Sequence, residues 1–285
     1  MESEAPTTPV CYRHSDRPTR ISCSNCGQPI CPDCTVDAAV GQKCPACAAP
    51  EGRHRTVQVR NTWGVNFGVT PVTLVLIIIN VAIYVIGSIS PEADQWFIEN
   101  WALVKQFTAQ GEWWRILTAA FLHGGLFHLF VNMYVLYLLG ANLERGAGSG
   151  PFLSLYLAAA AAGGAVSQLT DPSAGGARLV ISVGASGAIF GLFGAWLSAS
   201  YRQRHTPAGR AMFNQFSVLL LINAAIPFFV PQIDWRAHLG GFVAGVVIHQ
   251  LWTRLAEGST RSAPLRIVIA VLVGLLSALA VIVLA

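Results

Sequence analysis

Apolar residues along this chain gather into seven long stretches, at about 70–89, 116–140, 151–169, 179–200, 213–230, 236–256 and 264–285. Each reaches the roughly 17–25 residues that a helix needs to cross a bilayer. With no water in the hydrocarbon to bond free amides, the backbone there has to satisfy itself as helix. Polar loops separate the stretches, and the first seventy or so residues carry none. The pattern predicts an all-α polytopic membrane protein behind a small polar domain. Because the first span follows that polar segment, it is not placed like a cleavable secretory signal and is expected to stay in the mature protein.

Composition agrees, with 53% hydrophobic residues against 11% charged ones, far from the balance of a soluble globule. Charge adds an orientation. Arg53, Arg55 and Arg60 precede the first span, Arg145 follows the second, Arg202, Arg204 and Arg210 the fourth, and Arg254, Arg261 and Arg266 the sixth. The opposite loops hold Glu92, Asp94, Glu99, Lys105, Glu112, Asp171, Arg178, Asp234 and Arg236, with no basic excess. Basic loops stay cytoplasmic, so the expected topology in a plasma (cytoplasmic) membrane is N-terminus inside and C-terminus outside. This bias accounts for the net charge of +4, and no basic cluster is dense enough for nucleic acid.

All seven cysteines lie between Cys11 and Cys47, which marks a domain boundary. They form, with one histidine, the pairs Cys11/His14, Cys23/Cys26, Cys31/Cys34 and Cys44/Cys47. Eight ligands fill two tetrahedral zinc sites. Paired thiols so close in sequence suit one metal better than a disulfide, and a reducing cytoplasm argues the same way. The alternating pairs resemble B-box or RING-like cross-braced fingers, in which the first and third pairs share one ion and the second and fourth the other; sequential pairing is the alternative. No ligand position is open to water, so the two Zn²⁺ are expected to be structural, with a cytosolic protein as the module's expected partner. Expected domains are the double zinc-binding domain at 1–50, a flexible linker at 51–69 containing Gly52, Gly64 and Gly68, a core at 70–258 and a seventh membrane helix at 259–285.

Polar side chains inside spanning helices cost insertion free energy and need a reason. In the second span His128 and Asn132 lie four apart and share one helical face; they can hold a developing oxyanion or bond a neighbouring helix. His123 sits at the membrane edge. In the fourth span Ser186 alone would read as a backbone hydrogen bonder, but Gly187 and Gly191 make a small-residue ridge beside it, with Gly184 ahead and Gly194 behind. In the sixth, His238, Gly241 and Gly245 lie along one face. If the two glycine seams meet, Ser186 comes within reach of His238, and a histidine base suffices to activate a serine. Asp234, one turn before His238, is a candidate to orient that base as a third member, but is expected to face water instead.

The ordered set Trp114-Arg115, His123 with His128 and Asn132, Gly184-x-Ser186-Gly187, and Ala237-His238 with Gly240-Gly241 resembles the rhomboid family of intramembrane serine proteases, over roughly residues 70–258. Glu144-Arg145 also looks like the family's pattern. The resemblance implies a six-helix core plus one further C-terminal helix and a Ser186–His238 dyad open to the outside. It also implies an oxyanion hole of the Ser186 amide with His128 and Asn132, and a membrane-lying first loop at about 91–113 in which Trp114 and Arg115 are structural. No catalytic cofactor is implied. Expected substrates are membrane proteins in the bilayer, whose transmembrane segments must unwind locally near the outer face. Two rivals stand beside this reading. A transporter would place acidic residues at mid-membrane, where none stands apart from Glu144 near the cytosolic edge. An inactive rhomboid-like scaffold would recruit partners through its zinc finger and tolerate loss of Ser186.

Overall fold

The computed structural model describes residues 8–38, 41–48, 70–170, 181–230, 233–256 and 262–285. The expected linker at 51–69 lies outside them, as do Asp171, Arg178 and Arg261. The chain divides into two compact units, Met1–Val65 and Asn66–Ala285.

In the first unit β1 (Val10–Cys11) pairs antiparallel with β2 (His14–Pro18), and β3 (Val36–Asp37) with β4 (Gln42–Lys43). A 3₁₀ turn at Pro32–Cys34 and the short helix α1 (Pro45–Ala48) complete it. Its buried apolar residues are Ile30 and five of the cysteines themselves. A core that small repays little of the entropy of ordering the chain.

The second unit opens with α2 (Pro71–Ile89), followed by α3 (Pro91–Trp101), strand β5 (Leu103–Val104), α4 (Lys105–Ala109) and α5 (Arg115–Thr118). The chain then enters α6 (Leu126–Ala147) and α7 (Ser149–Thr170), passes β6 (Ile181–Ser182), and continues through α8 (Ser186–Arg202), α9 (Pro207–Phe229), α10 (Trp235–Leu251) and α11 (Ser262–Leu284). Each of the seven apolar stretches therefore contains one long helix. Four of these, α2, α6, α7 and α11, are long and apolar enough to cross a membrane by length and composition. α8 and α10 have 17 residues each, about 26 Å of helix.

The second span begins ten residues later than its hydrophobicity suggests. Residues 116–125 form the end of α5, a 3₁₀ turn at Ala119–Phe121 and a loop, and the helix proper starts after Gly125. The stretch is apolar because it is buried: Ile116 and Ala120 pack inside the protein. The other unexpected element is the antiparallel pair β5–β6, which joins the first loop to the segment leading into α8.

α7 is the central helix, with most of its residues buried. Its run of small residues lets backbones come close. A methyl on Gly164 would lie 2.7 Å from the Ile116 carbonyl oxygen, and one on Gly163 would lie 2.7 Å from that of Ala237. α10 packs against α7 and α8, and α11 packs along α7, so the seventh helix belongs to the same packed unit. Around them Leu136, Phe152, Leu155, Tyr156 and Leu192 form a fully buried centre.

Glu144, a carboxylate 3% exposed inside α6, is explained by its partners. Its Oε1 accepts from the Val72 amide (3.0 Å) and the Ser149 hydroxyl (2.7 Å), and its Oε2 from the Thr73 amide (2.8 Å) and hydroxyl (2.7 Å). It caps the N-terminus of α2, where Thr70 supplies no side-chain bond and free amides favour a negative charge.

Candidate active site and zinc-binding module

Ser186 is the first residue of α8, where backbone amides lack intrahelical acceptors and point outward. The chain reaches it through Gly184, whose φ of +136° suits a residue without a Cβ. The Gly184 amide donates to the Ala119 carbonyl at 2.9 Å, anchoring the approach. The ring of His128 lies against the same glycine. A methyl there would sit 2.8 Å from His128 Cε1, 2.9 Å from its Nε2 and 3.7 Å from Ser186 Oγ. Imidazole and serine hydroxyl thus flank one point of backbone.

The two glycine seams do meet. A methyl on Gly241 would collide with the Gly187 carbonyl, its carbon lying 2.8 Å away, and one on Gly245 would collide with Gly191, 2.8 Å from its Cα. α8 and α10 therefore touch backbone to backbone, with Ser186 just before one contact and His238 one turn before it on the partner helix. The His238 ring stacks on Phe190, with centroids 4.1 Å apart and planes at 10°. Among the described residues no hydrogen bond joins Ser186 to His238; such bonds often close only with substrate present.

Asn132 is buried and donates from Nδ2 to the His128 carbonyl at 2.8 Å, which leaves its second amide hydrogen uncommitted. His123 and His128 meet edge to face at 5.1 Å, and both ring nitrogens of His123 are buried without a partner. Next to the residues flanking the serine, a cavity of about 30 Å³ is lined by Ser182, Gly184, Gly187, Ala188, Ala237 and Ile116 among others. Arg115, 2% exposed, staples the first loop: its guanidinium donates to the carbonyls of Ala102 (2.9 Å) and Glu99, pairs with Glu112, and lies over the Phe107 ring. Its neighbour Trp114 is exposed.

In the first unit the ligand atoms of Cys11, His14, Cys31 and Cys34 form one group, and those of Cys23, Cys26, Cys44 and Cys47 a second, each within 4.8 Å. The cross-braced pairing is the one present. His14 contributes Nδ1, at 3.8, 3.4 and 3.5 Å from the sulfurs of Cys11, Cys31 and Cys34, and Cys26 and Cys44 sulfurs are 3.9 Å apart. Zn–S bonds of ~2.3 Å at tetrahedral angles demand sulfur separations of about 3.8 Å, and slightly less to nitrogen, so both groups fit the ion. Backbone hydrogen bonds from Cys44 and Cys26 hold the Cys23 thiol down to about 6 against the upward push of burial, favouring the thiolate that a metal needs.

Residues 110–255 match the sequence model of the Rhomboid domain. The chain belongs to the rhomboid family. Residues 6–38 match the B-box zinc finger. Among relatives of this rhomboid, the chain is 41% identical over 137 residues to "Rhomboid protease GluP" of Bacillus subtilis, covering 48% of this chain and 25% of that protein. To "Putative rhomboid protease YdcA" of the same organism it is 34% identical over 149 residues, 52% of this chain and 72% of that one. To "Inactive RHOMBOID-like protein 8" of Arabidopsis thaliana it is 34% identical over 145 residues, 49% and 38%. The chain thus spans a quarter of GluP, and the family includes a member named inactive. It is a multi-pass integral membrane protein.

The rhomboid's sequence foreshadowed the residues but not all their partners. Asp234 does not simply face water: it caps α10 by accepting from the Ala237 amide at 3.1 Å, and also accepts from the hydroxyls of Ser182 (2.8 Å) and Ser167. Ser167, Ser182 and the Phe190 ring carry no motif of their own. Only the meeting of α7, β6 and α10 brings the two serines to one carboxylate.

Proposed function

We propose that this rhomboid is an intramembrane serine endopeptidase, with Ser186 as nucleophile and His238 as its base. The observation that carries the reading is the placement of Ser186 at a helix N-terminus, beside the His128 ring, on a glycine seam packed against the helix of His238. In this reading His238 takes the Ser186 proton as the hydroxyl oxygen attacks a peptide carbonyl. The tetrahedral oxyanion receives bonds from the Ser186 amide, the His128 ring and the free Asn132 hydrogen. The intermediate then collapses, the peptide C–N bond breaks, and His238 returns its proton to the leaving amine. A water, deprotonated by His238, attacks the acyl-serine ester, the ester C–O bond breaks, His238 returns the proton to the Ser186 oxygen, and the new carboxyl end is freed. His123, with both ring nitrogens buried and unpartnered, supports the presence of water near His128. Substrates are transmembrane segments of other membrane proteins, cut near the outer face, with the finger on the cytoplasmic side and its two Zn²⁺ structural.

Labelling of the detergent-solubilised full chain with a fluorophosphonate tests this. Wild type is expected to label, and Ser186→Ala and His238→Ala are each expected to lose the label. A well-folded wild type that neither labels nor cuts a model transmembrane substrate would leave the inactive scaffold as the reading.

A further inference from the structure

We propose that Asp234 is a positioning residue that sets the placement of His238 against Ser186 by clamping three elements to one carboxylate. The inference rests on the dyad reading above. Oδ1 accepts from the Ala237 amide and holds the first turn of α10. Oδ2 accepts from Ser182 on β6, four residues before Ser186, and from Ser167 on α7. The same Asp234 gives its backbone carbonyl to the His238 amide at 3.3 Å. β6 is in turn held by β5, and Gly184, two residues further on, by the Ala119 carbonyl.

An N-cap needs only the amide bond. The two hydroxyls add nothing to that cap: Ser182 ties the strand that delivers the nucleophile to the helix that delivers the base, and Ser167 ties that helix to α7. Loss of such a tie leaves the packed core intact and allows α10 to shift along its glycine seam, and a displacement near 1 Å at a reacting pair can cost on the order of a hundredfold in rate. Among the described residues Asp234 makes no hydrogen bond to the His238 ring; its carboxylate oxygens bond Ala237, Ser182 and Ser167.

The decisive variant is Ser167→Ala/Ser182→Ala, which removes both hydroxyl donors and spares the cap. Turnover of a transmembrane substrate by the full chain is expected to fall tenfold or more in kcat with KM little changed, while the melting temperature falls by only a few degrees. Asp234→Ala should show the same kcat loss plus a larger drop in melting temperature, and Asp234→Asn, which keeps an accepting oxygen, should recover part of the rate. A second readout is independent of activity. In a Ser186→Cys/His238→Cys background, a short bismaleimide should link the two positions, detected on the peptide pair by mass spectrometry, and the yield should drop severalfold when the Ser167/Ser182 pair is removed. Unchanged kcat and unchanged crosslinking in the double-serine variant would overturn the clamp. If wild type shows no turnover, the protease reading falls, while the crosslink yield still decides the clamp.

Discussion

At Gly184 two constraints coincide: a φ of +136° and the His128 ring where a Cβ would stand. Alanine there is expected to cost about 1–3 kcal/mol of backbone strain and to push the imidazole away from Ser186. Gly184→Ala should therefore remain folded, melt a few degrees lower and label with fluorophosphonate at least tenfold more slowly; wild-type labelling rates would contradict the role given to this approach. The sequence already singled out Gly184, His128 and Ser186, because polar groups and glycines stand out in an apolar helix. The finer contacts were hidden. That His14 offers Nδ1 to the three sulfurs around it, or that Asn132 bonds its own helix, depends on rotamers that spacing does not encode.

Among elements, the contact of α8 with α10 does most to assemble the site. Gly241→Ala puts a methyl onto the Gly187 carbonyl, and forcing atoms into such a seam costs about 1–3 kcal/mol. Both the melting temperature and the labelling of Ser186 are expected to fall. Gly274→Ala on α11 is the matched control, since its added methyl would meet Ala158 at 3.4–3.6 Å, an ordinary contact, and should leave both unchanged. Equal behaviour of the two variants would mean that the seam is not special. Here the sequence was informative, since glycines repeating along one helix face mark close approach. It misjudged the start of α6, because the apolar residues at 116–125 read the same whether they face lipid or protein.

For the whole molecule, two units with separate cores imply separable stabilities. A strong chelator is expected to release about two zinc ions per chain and to make the N-terminal unit protease-sensitive, while fluorophosphonate labelling of Ser186 persists. Parallel loss of labelling would show that the finger supports the membrane unit. The sequence by itself determined the number of long helices, the break before the membrane region, the eight metal ligands and the polar residues that needed explaining. Each of these follows from local composition: a bilayer demands length and apolarity of every segment, and a metal demands paired donors. Tertiary structure alone decided that ligand pairs alternate between two sites, that β5 finds β6, that Glu144 caps a helix seventy residues earlier, and that Asp234 holds two serines from other elements. Those are contacts between segments distant along the chain, and hydrophobicity, which is non-directional, brings segments together without specifying which polar atoms then meet.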